Sequence, residues 1–167
     1  MSIYQLKPLS KAAVPAALEK AERYRLLNEP GEAVSICEDV LAVEPGHQEA
    51  LVILLLALTD QLLDAPAVAA KAQQVARTLS DEYDRFYYEG IIAERTAKAH
   101  LRRGGMSPDG VYEWLADAME CYERAEALRP AGNDDAILRW NACARLLEEH
   151  QNLRPALDDR REPQFLE

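Results

Sequence analysis

Ala118-Met119-Glu120-Cys121-Tyr122-Glu123-Arg124-Ala125-Glu126-Ala127-Leu128-Arg129-Pro130 is the stretch on which the fold turns. Ala118 is followed at intervals of four, three and five by aromatic Tyr122, small Ala125 and Pro130. The first three therefore share one face of a helix, and the proline stops it. The same spacing recurs upstream at Ala33, Cys37, Val40 and Pro45. A face that alternates small and large residues lets a second helix approach closely, so two such stretches far apart in one chain point to helix pairs used more than once.

Reading outward from these stretches predicts seven helices. Pro15 suits a first helical turn, and Ala17, Leu18, Ala21 and Tyr24 continue an apolar stripe to about Leu27. Asn28-Glu29-Pro30-Gly31 reads as a turn, and Glu32 to Val43 as the returning helix. After Pro45-Gly46-His47 a third helix runs from Gln48 to Leu63, apolar on nearly every side and hence expected to lie centrally. Asp64-Ala65-Pro66 precedes an alanine-rich fourth helix, Ala67 to Leu79. Ser80 is the expected cap of a long fifth helix ending near Arg103, where Gly104-Gly105 follows. Ser107-Pro108 opens the sixth, which continues through Ala125, and Asp134 to His150 forms the last. Residues 151–167 read as a flexible tail and 1–13 as an arm.

The Ala118, Tyr122, Ala125, Pro130 set resembles the second helix of a tetratricopeptide repeat, and Phe86-Tyr87-Tyr88-Glu89-Gly90 resembles the core of that repeat's first helix. The resemblance covers about residues 14–150 as three irregular repeats with a C-terminal capping helix. It implies an all-α fold of antiparallel helix pairs stacked as a short right-handed superhelix, with helix contacts at Ala21, Tyr24, Ala33, Cys37, Gly90, Ala118, Tyr122 and Ala125. A non-repeat helical bundle shares the class and lacks the groove.

Members of that family act as non-catalytic scaffolds that take a peptide or helix against their first helices, and the resemblance implies such a protein or peptide partner here. The Lys and Asn clamp by which some of them hold a terminal carboxylate is missing, since the matching positions carry Leu18, Glu22, Val52 and Leu56. Val52, Leu56, Tyr87 and Ile91 fall instead on the groove positions, an apolar and aromatic lining. The one basic concentration, Arg95, Lys98, His100, Arg102 and Arg103, suits either an acidic partner or the negative end of its own helix. Phe165 and Leu166 are apolar residues in a charged tail and suggest docking into the groove.

Composition bounds the alternatives. A net charge of −10 and a sequence pI near 4.8 oppose non-specific binding to nucleic acid or an anionic membrane. The apolar run Ala50 to Leu58 is shorter than the about 20 residues a bilayer requires. The first eight residues lack a secretory profile, and the expectation is a cytoplasmic protein. Three cysteines without CxxC spacing and three scattered histidines suggest neither a disulfide framework nor a metal site, and no cofactor motif is present. No nucleophile elbow or catalytic carboxylate pair emerges by spacing. The alternatives to a scaffold are a self-associating subunit, such as a homodimer, and an enzyme whose site distant residues assemble.

Overall fold

Residues 2–156 are described by the computed structural model of the chain, and every regular element among them is helical. A 3-10 turn, Lys11–Ala13, precedes seven α-helices: α1 Val14–Leu26, α2 Pro30–Val43, α3 Gln48–Thr59, α4 Val68–Arg77, α5 Glu82–Arg103, α6 Pro108–Leu128 and α7 Asp135–Glu149. Each helix packs on the next, while α3 also touches α1 and α5. Short turns make successive helices antiparallel neighbours. The helices α1, α3 and α5 thereby form one row. The expected docking of Phe165 and Leu166 concerns residues outside the described range.

Local chemistry sets most of the boundaries. Pro15 lies in the first turn of α1, which ends where Asn28 takes a φ of 59°, a left-handed conformation that asparagine tolerates. Pro30 and Gly31, expected as a turn, instead open α2, because a first-turn residue has no intrahelical use for the N–H that proline lacks. His47 caps α3, its Nδ1 accepting from the Ala50 N–H at 3.3 Å. Ser107 caps α6 by accepting from the Gly110 N–H at 3.3 Å.

Two boundaries are decided from outside the helix. Asp81 caps α5 in place of the expected Ser80, accepting from the Asp84 N–H at 3.1 Å. Ser80 is occupied elsewhere, its N–H and hydroxyl donating to Gln48 Oε1 at 2.9 and 3.0 Å. The third helix stops at Thr59, short of the expected Leu63. There Thr59 Oγ1 donates to the Leu56 carbonyl at 2.7 Å, and Arg95 from α5 donates to Thr59 Oγ1 at 2.7 Å. Gln61 and Leu62 then fold back on the carbonyls of Leu58 and Thr59 in the tighter i to i+3 pattern.

The core has two lobes. The first gathers the buried faces of α1 to α4 with Ile92, and the second gathers α5 to α7, with Leu56 and Tyr88 packing against both. Both stripes that opened the sequence reading, Ala33, Cys37, Val40 and Ala118, Tyr122, Ala125, are fully buried. Helix α3 is covered by α1, α2, α4 and α5, which accounts for its nearly uniform apolarity. Leu153 belongs to the segment expected as a tail, yet it is buried in the second lobe, and its N–H donates to the His150 carbonyl at 2.9 Å. The end of α7 needs that cover.

The seam between α5 and α6 is the most extensive in the protein, and it depends on Gly90. A Cβ there would stand 2.6 Å from Tyr122 Cε1 and 2.8 Å from Cδ1. The glycine is therefore the space into which the Tyr122 ring fits, and full burial of such a side chain contributes about 1.5–3 kcal/mol.

Candidate functional site

The apolar residues expected to line a groove are distributed along the joint between the lobes. Val52 is half-buried on the first lobe, and Leu56 packs against both. Ile91 is buried within the second lobe. Tyr87 is half-buried in an aromatic row: it stacks on Tyr83 at 5.8 Å, meets Tyr88 edge-on at 5.1 Å and lies 6.0 Å from the Tyr122 ring. Burial, followed by the nearby Asp84 carboxylate, pushes the Tyr88 phenol up to about 12, so that hydroxyl stays protonated. These residues form a packed apolar floor.

The basic residues of α5 separate into two groups. Arg95, Lys98 and Arg102, spaced three and four apart, share one face of the helix and line an open cleft of about 350 Å³. Its other walls are the ends of α1 and α3: Arg25, Leu26 and Asn28 from one, Thr59, Asp60, Leu62 and Leu63 from the other. His100 and Arg103 lie around the helix from this cleft, beside Leu62, Pro66 and Thr96.

Asp60 organises the cleft. Its carboxylate accepts from Arg25 Nε at 2.8 Å and from Arg95 Nη1 at 2.8 Å, so one acid holds two guanidiniums in place. Arg25 and Asp60 escaped the sequence reading because their pairing spans 35 residues and no local spacing announces it. Arg102 is exposed and has no ion-pair partner among the described residues. Leu26 and Leu63, 86% and 42% exposed, stand beside these cations. The cleft thus offers charge and apolar surface together.

Lys98 connects the cleft to a buried network that the sequence reading also missed. Glu94 has no solvent exposure. It accepts from Tyr122 Oη at 2.7 Å, from Arg139 Nε at 3.0 Å, from Arg139 Nη2 and from Lys98 Nζ. Burial pushes the Glu94 carboxyl up, but the bonds from Lys98, Tyr122 and Arg139 outweigh it and hold the group below the ordinary carboxylate range. Burial and the Glu94 charge push the Tyr122 phenol well up. The network ties α5, α6 and α7 together. The available signal was its position: Gly90, Glu94 and Ala97 are spaced four and three, so Glu94 lies on the contact stripe.

Other reactive groups are subdued. Burial pushes the Cys37 and Cys143 thiols up to about 12 and the half-buried Cys121 thiol up to about 11. All three are unpaired. Among the described residues no cluster of three or more His, Cys, Asp or Glu side chains is arranged to hold a metal ion, and no helix is long and apolar enough to cross a membrane. Comparisons of the chain with protein-family models, with curated proteins and with solved structures find no match.

Proposed function

We propose that the chain is a non-catalytic interaction scaffold that binds an acidic, leucine-bearing segment of a protein partner across α1, α3 and α5. The observation that carries this reading is the cleft itself. Helices α1 and α5, far apart in sequence, contribute Arg25, Arg95, Lys98 and Arg102 to one opening that the end of α3 closes and exposed Leu26 and Leu63 flank. On a chain of net charge −10 such a local cation cluster selects for charge pattern, since the wider field repels anions that do not fit it. Guanidinium groups suit carboxylates because they can bond them through two parallel N–H donors. The apolar floor of Val52, Leu56 and Tyr87 extends the same row of helices for the remainder of the segment.

The tetratricopeptide-repeat resemblance supports the reading, because first helices are the surface such repeats present to peptides. Right-handed superhelical stacking is part of the proposal. Unpaired thiols favour a reducing compartment, and we place the scaffold in the cytoplasm.

The test is titration of labelled amphipathic peptides carrying leucines and glutamates on opposite helical faces. A control peptide replaces each glutamate by lysine. The acidic peptide is expected to bind, with binding weakened by salt. Arg102→Glu should lower affinity about tenfold, or about 1.4 kcal/mol, without changing thermal stability. Equal binding of both peptides, or an undiminished affinity in the variant, refutes the proposal.

A further inference from the structure

Among the described residues nothing covers the outer face of the first helix pair. Leu9, Ala13, Ala16, Ala17 and Ile36, with the flanking Lys20 and Asp39, enclose an open and mainly apolar cavity of about 310 Å³. Just upstream, Ile3, Tyr4 and Leu6 are 92%, 82% and 83% exposed. Two apolar surfaces in need of cover therefore lie next to each other in sequence without covering one another.

We infer that the chain forms a two-fold dimer by exchanging these arms, the apolar residues of each copy seating in the Leu9–Ala17–Ile36 cavity of the other. The arm does not fill its own cavity: Leu9 is already part of the cavity wall, while Ile3, Tyr4 and Leu6 upstream of it stay exposed. Further upstream Ser2 Oγ accepts from the Tyr4 N–H at 3.3 Å and donates to the Tyr4 carbonyl at 2.9 Å, a local turn that Ser2 and Tyr4 satisfy between themselves. A second copy meets the arm from outside. On an extended segment Tyr4 and Leu6 face the same side, and two such side chains suit the cavity while Ile3 packs at its edge.

The area lies at the lower end of what a stable interface requires. Three large side chains per arm amount to roughly 500 Å², so two arms supply about 1,000 Å², and the walls that receive them bring the total close to the about 1,200 Å² at which stable interfaces begin. The reciprocal arrangement also closes, since each copy gives one arm and receives one, which stops growth at two.

Sedimentation equilibrium of the full chain is expected to give twice the 18.7 kDa of one copy. Tyr4→Ser with Leu6→Ser, which removes the arm's apolar contacts, and Ala16→Trp, which fills the cavity from an exposed helix position, should each give monomers with unchanged circular dichroism. Exchange is then tested with Leu6→Cys and Ala16→Cys placed in one Cys121→Ser chain and oxidised with diamide. A covalent dimer on a non-reducing gel is expected. A monomeric wild-type chain, a dimer that persists in both monomerising variants, an intrachain cross-link, or no cross-link at all overturns the inference.

Discussion

Gly90→Ala is the sharpest probe of this fold, because helix propensity and packing predict opposite signs. Alanine in a helix interior is favoured over glycine by about 1 kcal/mol, so an exposed or loosely packed Gly90 would give a more stable variant. The structure demands the reverse. The new Cβ would lie 2.6 Å from Tyr122 Cε1, and restoring an ordinary contact of 3.4 Å requires the ring to withdraw by about 0.8 Å. Tyr122 is fully buried, and its hydroxyl is held 2.7 Å from Glu94, so the ring has little freedom to withdraw. Overpacking of this kind costs about 1–3 kcal/mol. Weakening the bond to Glu94 adds about 1–3 kcal/mol, because it leaves a buried charge with one donor fewer. After subtraction of the propensity gain, the net loss is about 3 kcal/mol, and Gly90→Leu should lose more. Urea unfolding followed by circular dichroism measures it, and in a chain of this size the melting temperature should fall by about 6–12 °C. The same substitution in a Tyr122→Leu background should cost less, since the obstructing ring is gone. A Gly90→Ala protein as stable as the parent would refute the close α5–α6 seam and the repeat register built on it.

The buried network should govern acid stability. Glu94 is held below its ordinary pKa, so it contributes stability that is fully present above the unfolded carboxylate pKa of about 4.3 and is lost as pH falls through the lower folded value. Glu94→Gln should reduce stability at neutral pH by about 2 kcal/mol, because the amide keeps one acceptor oxygen but carries no charge and turns an NH2 group toward the Lys98, Tyr122 and Arg139 donors, and it should flatten the loss below about pH 4 in pH-dependent urea titrations. Thiol labelling at pH 8 should be slow in the native protein at all three cysteines, with Cys121 the fastest, and should reach completion on unfolding. Rapid native labelling of Cys37 or Cys143 would contradict their burial.

Helix content was legible in the amino-acid sequence because helix formation is governed by neighbours three and four residues away. Ala118, Tyr122 and Ala125 announce their common face by spacing alone, and Ser107 with Pro108 announces a helix start by cap chemistry alone. Boundaries failed where a distant side chain intervened, as Arg95 does at the end of α3 and Gln48 does at Ser80. The roles of charged residues were the least legible. A glutamate reads as solvated until the rotation of its helix against two others is known, and only the packing of α6 and α7 on α5 turns Glu94 into a buried acceptor. The cationic cleft has the same origin. Arg25 lies on α1, Asp60 just past the end of α3, and Arg95 and Arg102 on α5, and their charges act on one opening because electrostatic attraction depends on distance in space and not on separation along the chain.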